Sequence, residues 1–131
     1  MPNSQTRILV VDDEPGLLYS LIAFLEDEEY LADGASSGEE ALFMLKQKSY
    51  DAVIVDIRLP GIDGNEVILK ARESGCIAPF LIHTGSTDYQ LTTSLKKLGF
   101  TQDDIFLKPL PNLNILCQAL RKKLSTPPPS P

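Results

Sequence analysis

The chain has 131 residues, 43% of them hydrophobic and 23% charged, with twelve basic against eighteen acidic side chains and a formal net charge of −6. That length suits one packed domain rather than two, and the composition is that of an ordinary globular protein. No cluster of Lys or Arg forms a nucleic-acid footprint, which argues against direct DNA or RNA binding. The apolar stretches are too short to span a membrane and the start, Pro2-Asn3-Ser4-Gln5-Thr6-Arg7, lacks a signal-peptide pattern, so a cytoplasmic setting is expected.

In chain order, Ile8-Leu9-Val10-Val11 is a short apolar run that ends in Asp12-Asp13. Four apolar, mostly β-branched residues bounded by polar ones read as a strand buried on both faces. After Pro15, Leu17, Leu18, Leu21, Ile22 and Leu25 form an i, i+4 stripe that predicts a helix, with the proline suited to its first turn. Glu26-Asp27-Glu28-Glu29 reads as the solvated end of that helix. Leu31-Ala32-Asp33 is a weak strand. Ser37 to Glu40 has the spacing of a capping box, with Ser37 as N-cap, ahead of Ala41, Leu42, Met44 and Leu45.

Ala52-Val53-Ile54-Val55 is a second fully buried strand and ends in Asp56. Pro60-Gly61 and Asp63-Gly64 mark a loop before a helix carrying Val67, Ile68 and Ala71. Pro79-Phe80-Leu81-Ile82-His83 predicts a further strand, broken at Thr84-Gly85-Ser86. Asp88 is placed as the cap of a helix that runs through Leu98 and stops at Gly99. Ile105-Phe106-Leu107 is the last strand and ends in Lys108-Pro109. A final helix carries Leu113, Leu116, Ala119, Leu120 and Leu124. The domain is thereby drawn over residues 1–124, with 125–131 as a proline-rich tail or the stub of a linker. Cys76 and Cys117 have neither a C-x-x-C partner nor paired histidines, so a structural zinc site is excluded and free thiols are expected.

Five alternating strand–helix units imply an α/β fold: a doubly wound, five-stranded parallel sheet of flavodoxin-like type, strand order 2-1-3-4-5. That order opens a crevice between the ends of the first and third strands, the two that end in Asp12-Asp13 and Asp56. Three carboxylates converging from distant parts of the chain repel one another unless a cation or shared protons relieve them. With Lys108 beside them, they read as a Mg²⁺ site built to handle a phosphoryl group.

Val11-Asp12-Asp13-Glu14-Pro15, the segment from Val55 through Gly64, Thr84-Gly85 and Lys108-Pro109 together resemble the receiver domain of response regulators in two-component signalling, of the chemotaxis-regulator type. The resemblance covers roughly residues 6–124. It implies that Asp56 is the phospho-acceptor, taking a phosphoryl group from a sensor histidine kinase or phosphotransfer protein. It implies that Asp13 and Asp56 ligate Mg²⁺ directly, with Asp12 acting through a water and the Arg58 backbone carbonyl completing the set. Lys108 would meet the phosphoryl oxygens, aimed into the crevice by its peptide bond to Pro109, which is often cis in the family. The Thr84 hydroxyl would bond to the phosphoryl group only once it has arrived, and so switch contacts with a downstream effector. Such a domain catalyses its own phosphorylation and dephosphorylation and is not an enzyme for an external substrate. The resemblance leaves room for a homodimer.

Three features depart from the family pattern. Ile105 stands where a switching Tyr or Phe is usual, and the next residue, Phe106, is expected on the opposite face of its strand. The stretch from Gly99 to Asp104 is longer than the family's loop. Arg58, Gly85 and Ser86 occupy positions where the family tunes access of water to the phosphate. Two rivals stand beside the leading reading. One is a pseudo-receiver that works as a phosphorylation-independent interaction module. The other is an aspartyl-phosphate phosphatase or phosphotransferase of haloacid-dehalogenase type, disfavoured because Arg58 replaces the second Asp that such enzymes need. Of the site residues, Asp13 alone also suits a helix cap. His83, the single histidine, is assigned no role.

Overall fold

The computed structural model describes residues 6–125. Five strands, β1 (Arg7–Val11), β2 (Leu31–Ala35), β3 (Ala52–Val55), β4 (Phe80–Thr84) and β5 (Ile105–Leu107), form one sheet in the order β2-β1-β3-β4-β5. Every pairing is parallel, and β1 aligns Val11 with Ala35 on one side and with Val55 on the other. Five helices connect and flank the strands: α1 (Pro15–Asp27), α2 (Gly38–Gln47), α3 (Gly64–Glu73), α4 (Thr93–Lys97) and α5 (Asn114–Ser125). The expected architecture and strand order are what the chain adopts. The weak strand at Leu31 is a full partner of β1.

Strand alternation sorts the core into two layers. Leu9, Val11, Val53, Val55, Phe80 and Ile82 pack with Val67, Ile68 and Ala71 of α3 and Leu95 of α4. Ile8, Val10, Ile54 and Leu81 point the other way, onto Leu18, Leu21 and Leu25 of α1 and Leu116 and Leu120 of α5. Both faces of the central strands are therefore dry, which is why their sequence reads as unbroken apolar runs. Ile105 packs with the first layer and Phe106 with the second, as the alternation predicts.

Some local expectations need correction. The fourth helix does not begin at Asp88: α4 spans Thr93–Lys97 and is capped by the Thr92 hydroxyl, which accepts from Leu95 N. Residues 88–91 are instead held by one local bond and by tertiary contacts. Tyr89 donates its hydroxyl to Asn65 at 2.7 Å, Leu91 is buried, and Asp88 accepts from Ser86 Oγ at 3.0 Å rather than from a helix N–H. The capping box at α2 is half formed. Ser37 Oγ accepts from Glu40 N at 3.1 Å, but Glu40 turns to Ser36, whose N–H and hydroxyl both donate to Oε1. Glu28 is not simply solvated, because Arg121 of α5 donates to it at 2.8 Å. The longer stretch before β5 folds as a 3₁₀ turn, Gln102–Asp104, closed by a complete capping box between Thr101 and Asp104. Cys76 and Cys117 are free. The proline-rich residues 126–131 lie outside the described residues.

Candidate functional site

Parallel strands bring their carboxyl ends to one edge of the sheet, and β1, β3 and β5 each end there on a charged residue. Asp12 and Asp56 are 3% and 6% exposed, whereas Asp13 is open to solvent. One carboxylate oxygen from each of Asp12, Asp13 and Asp56 lies within 4.8 Å of the others. This is an all-oxygen, all-anionic donor set at the spacing of a shared ligand, and it fits a hard divalent cation such as Mg²⁺. Asp13 does not cap α1: the N-cap is Glu14, without a side-chain bond, and Glu14 N donates to Asp12 Oδ1 at 2.9 Å.

Lys108 supplies the countercharge. Its Nζ lies 2.7 Å from Asp12 Oδ2 and 2.9 Å from Asp56 Oδ2, with Glu14 Oε1 farther off at 3.7 Å. Burial alone pulls the lysine's pKa down, but the hydrogen bonds to Asp12 and Asp56 outweigh it and the net shift is upward. The ammonium therefore stays charged between the two buried carboxylates. Its backbone is held to β4 by the bond from Lys108 N to Thr84 O at 2.8 Å. The Lys108–Pro109 peptide is cis.

The connection from β3 to α3 shapes the other wall. Arg58 N donates to Asp56 Oδ1 at 3.2 Å, which holds the carboxylate in its rotamer. Gly64 N donates to Ile57 O at 2.9 Å, and a Cβ on Gly64 would run into the Asp56 carbonyl oxygen. Glycine is needed there because backbone passes over backbone. The Arg58 side chain swings over to the β4–α4 loop, where Nε donates to Ser86 Oγ at 3.2 Å and the guanidinium sits 3.8 Å from Asp88.

Thr84 is fully buried, and its Oγ1 accepts from Ser86 N at 3.2 Å. As an acceptor from Ser86 it keeps its own proton for donation. Gly85 is exposed and a Cβ there would meet nothing within 4 Å, so this side of the crevice is open. All six predicted site residues thus lie on this edge, on the ends of β1, β3, β4 and β5 or in the loops that follow them. Sequence reading passed over His83. It is 3% exposed, its Nδ1 has no hydrogen-bond partner among the described residues, and burial, reinforced by the Lys108 charge, lowers its pKa to about 4.

Comparison with known proteins agrees with this geometry. Residues 8–121 match the response regulator receiver domain family. The transcriptional regulatory protein TcrA of Mycobacterium tuberculosis is 37% identical over 118 residues, 90% of this chain and 46% of that protein. The chain thus spans about half the length of the curated relatives it matches. Among solved structures, the response regulator TrrA of Thermotoga maritima, in complex with Mg²⁺-BeF, superposes with a TM-score of 0.76 at 35% identity, covering 89% of this chain and 97% of that one. A receiver domain of Methanospirillum hungatei gives a TM-score of 0.79 at 29% identity, covering 91% and 93%. With its five-stranded parallel sheet and the acidic crevice at the strand ends, the chain belongs to the receiver domains of two-component response regulators.

Proposed function

We propose that this receiver takes a phosphoryl group onto Asp56 from a phosphohistidine of a sensor kinase or phosphotransfer protein, and passes the change to a downstream effector. The observation that carries the reading is the Asp12–Asp13–Asp56 cluster with Lys108 Nζ bridging two of its carboxylates. An isolated structural ion pair needs one acid and one base. Two nearly buried carboxylates on one lysine, with a third open to solvent beside them, suit a site that admits a cation and a phosphoryl oxygen.

In this reading an Asp56 carboxylate oxygen forms a bond to phosphorus as the bond to the donor imidazole nitrogen breaks, the nitrogen keeping the electron pair. Asp13, Asp56 and the Arg58 carbonyl would hold Mg²⁺ directly and Asp12 through a water, and the cation would offset the repulsion between an anionic nucleophile and an anionic donor. Arg58 N, bonded to Oδ1, keeps one Asp56 oxygen in place and leaves Oδ2 toward Lys108. Lys108 then follows the negative charge onto the phosphoryl oxygens as a mobile point charge. Thr84 donates its hydroxyl proton to the phosphoryl group, a contact available only in the phosphorylated state, and such a differential contact is what shifts a conformational equilibrium. The domain is in this sense a signalling module that acts on itself, in a cytoplasmic setting. Residues 1–124 would form the working unit.

Intact-mass measurement after incubation with a small-molecule phosphodonor tests this directly. A single acid-labile phosphoryl gain that requires Mg²⁺ is expected. No gain, with Mg²⁺ still bound, would leave the phosphorylation-independent module as the account.

A further inference from the structure

We propose that Glu39, on the first turn of α2, is a positioning residue for the loop that carries Arg58, and that the receiver's affinity for Mg²⁺ depends on it. The inference rests on the Mg²⁺-dependent reading of the Asp56 site and names a residue outside that site which the metal needs.

The loop between β3 and α3 is pinned at both ends. At its start, Arg58 N is bonded to Asp56; at its end, Gly64 N is bonded to Ile57 O and Asp63 caps α3 by accepting from Glu66 N at 3.0 Å. Its tip is held from α2. Glu39 Oε2 accepts from Ile62 N at 3.2 Å, across 23 residues of sequence. Gly61 beside it has φ +74°, and the place where its Cβ would stand is taken by the same carboxylate, with Oε1 2.9 Å and Cδ 3.0 Å from that point. The glycine is therefore a notch, and Glu39 fills it. Gly38 completes the socket: a Cβ there would come within 2.6 Å of Ile62 Cγ1. The start of α2 and the tip of the loop are shaped to each other.

Two effects favour a carboxylate in this place. The N-terminal end of α2 stabilises negative charge, and an ionised acceptor makes a stronger bond to a backbone N–H than a neutral one. The consequence falls on the Arg58 carbonyl, which sits between the pinned start and the held tip. Mg²⁺ demands a near-ideal octahedron at short distances, so a ligand carbonyl that drifts by a fraction of an ångström binds it less well. Residues that orient metal ligands typically alter metal affinity by about tenfold to a hundredfold. Glu39 is exposed and acts on one ligand, so the lower figure is expected.

Glu40 provides an internal control. It carries the same charge in the same turn, yet its carboxylate bonds to Ser36 and not to the loop.

The test is the rate of phosphoryl uptake from a small-molecule phosphodonor, followed by intact mass as Mg²⁺ is varied, together with a thermal melt of each variant. Glu39→Ala and Glu39→Asp, the second retaining the charge but one methylene too short, should both raise the half-saturating Mg²⁺ about tenfold while leaving the rate at saturating Mg²⁺ near wild type. Glu39→Gln, which keeps an acceptor oxygen at full reach, should restore most of the affinity. Glu40→Ala should follow the wild-type curve. The proposal is overturned if Glu39→Ala and Glu39→Asp leave the Mg²⁺ curve in place, even with lowered melting temperatures, or if Glu40→Ala moves it equally. A wild-type protein that gains no phosphoryl group would instead remove the functional reading on which the proposal stands.

Discussion

Lys108 and Asp12, 96 residues apart in the chain, meet with Nζ 2.7 Å from Oδ2. Their strands are not neighbours: β3 and β4 lie between β1 and β5, a span of about 14 Å at the usual strand spacing. Lys108 N donates to Thr84 O at 2.8 Å, which continues the β4–β5 ladder one residue past Leu107, so the long side chain itself covers the remaining distance. The lysine then reaches across Asp56 to Asp12. The sheet thus presents its carboxylates with a countercharge already in place.

Removing that charge should be costly where no cation replaces it. Lys108→Met leaves two nearly buried carboxylates facing each other, and breaking a buried pair from one side costs about 3 kcal/mol or more. Urea titration should show that loss without divalent ions and a partial recovery in Mg²⁺, because the cation binds the folded state alone. Equal destabilisation with and without Mg²⁺ would contradict the shared-site account.

Gly64→Ala tests the wall rather than the charges. Its Cβ would meet the Asp56 carbonyl oxygen, which is backbone and cannot swing aside. A loss of about 1–3 kcal/mol is expected, with slower phosphoryl uptake at every Mg²⁺ concentration. A variant that melts with the wild type and takes up phosphate normally would show that the close approach is not needed.

His83 gives the pH dependence. Burial, with the Lys108 charge, lowers its pKa to about 4 from the ordinary 6.5, so the unfolded chain binds the proton more readily than the fold does. Its contribution is therefore fully kept above about pH 6.5 and lost as the pH falls toward 4, amounting to about 3 kcal/mol at the acid end. His83→Leu should remove that part of the acid sensitivity. At neutral pH it should be at least as stable as wild type, since it replaces a ring whose Nδ1 is buried without a partner. Parallel stability–pH curves for the two proteins would refute this.

Much of the fold was legible because its determinants are local. Runs such as Ile8–Val11 and Ala52–Val55 are apolar throughout because both faces of those strands are covered, and the order of the sheet is the one common to five-stranded doubly wound folds. The acidic ends of β1 and β3 were legible for the same reason, being the first polar residues after such runs. What stayed hidden depends on contacts that residue type does not encode. Asp88 and Thr92 are both good caps, and the choice falls to Thr92 because Tyr89 is tied to Asn65 and Leu91 is buried. Glu39 looks like any first-turn acid, since its partner is a backbone N–H in a distant loop. His83 reads as a strand residue, and that its Nδ1 has no partner among the described residues appears only when the layer around it is assembled.

Thr84→Ala should separate uptake from response. Among the described residues the hydroxyl is hydrogen-bonded to Ser86 N and not to Asp56 or Lys108, so phosphoryl gain by intact mass is expected to persist. Hydrogen exchange across residues 85–92 should change on phosphorylation in the wild type and stay unchanged in the variant. A response that survives the substitution would remove Thr84 from the switch.

The central claim is that Asp56 itself takes the phosphoryl group. Borohydride reduction of the phosphodonor-treated protein, followed by peptide mass mapping, reads this directly, because an aspartyl phosphate is converted to homoserine at the modified position. Homoserine at position 56, dependent on Mg²⁺, is the predicted result. Homoserine at position 12 or 13, or at none of the three, would contradict it.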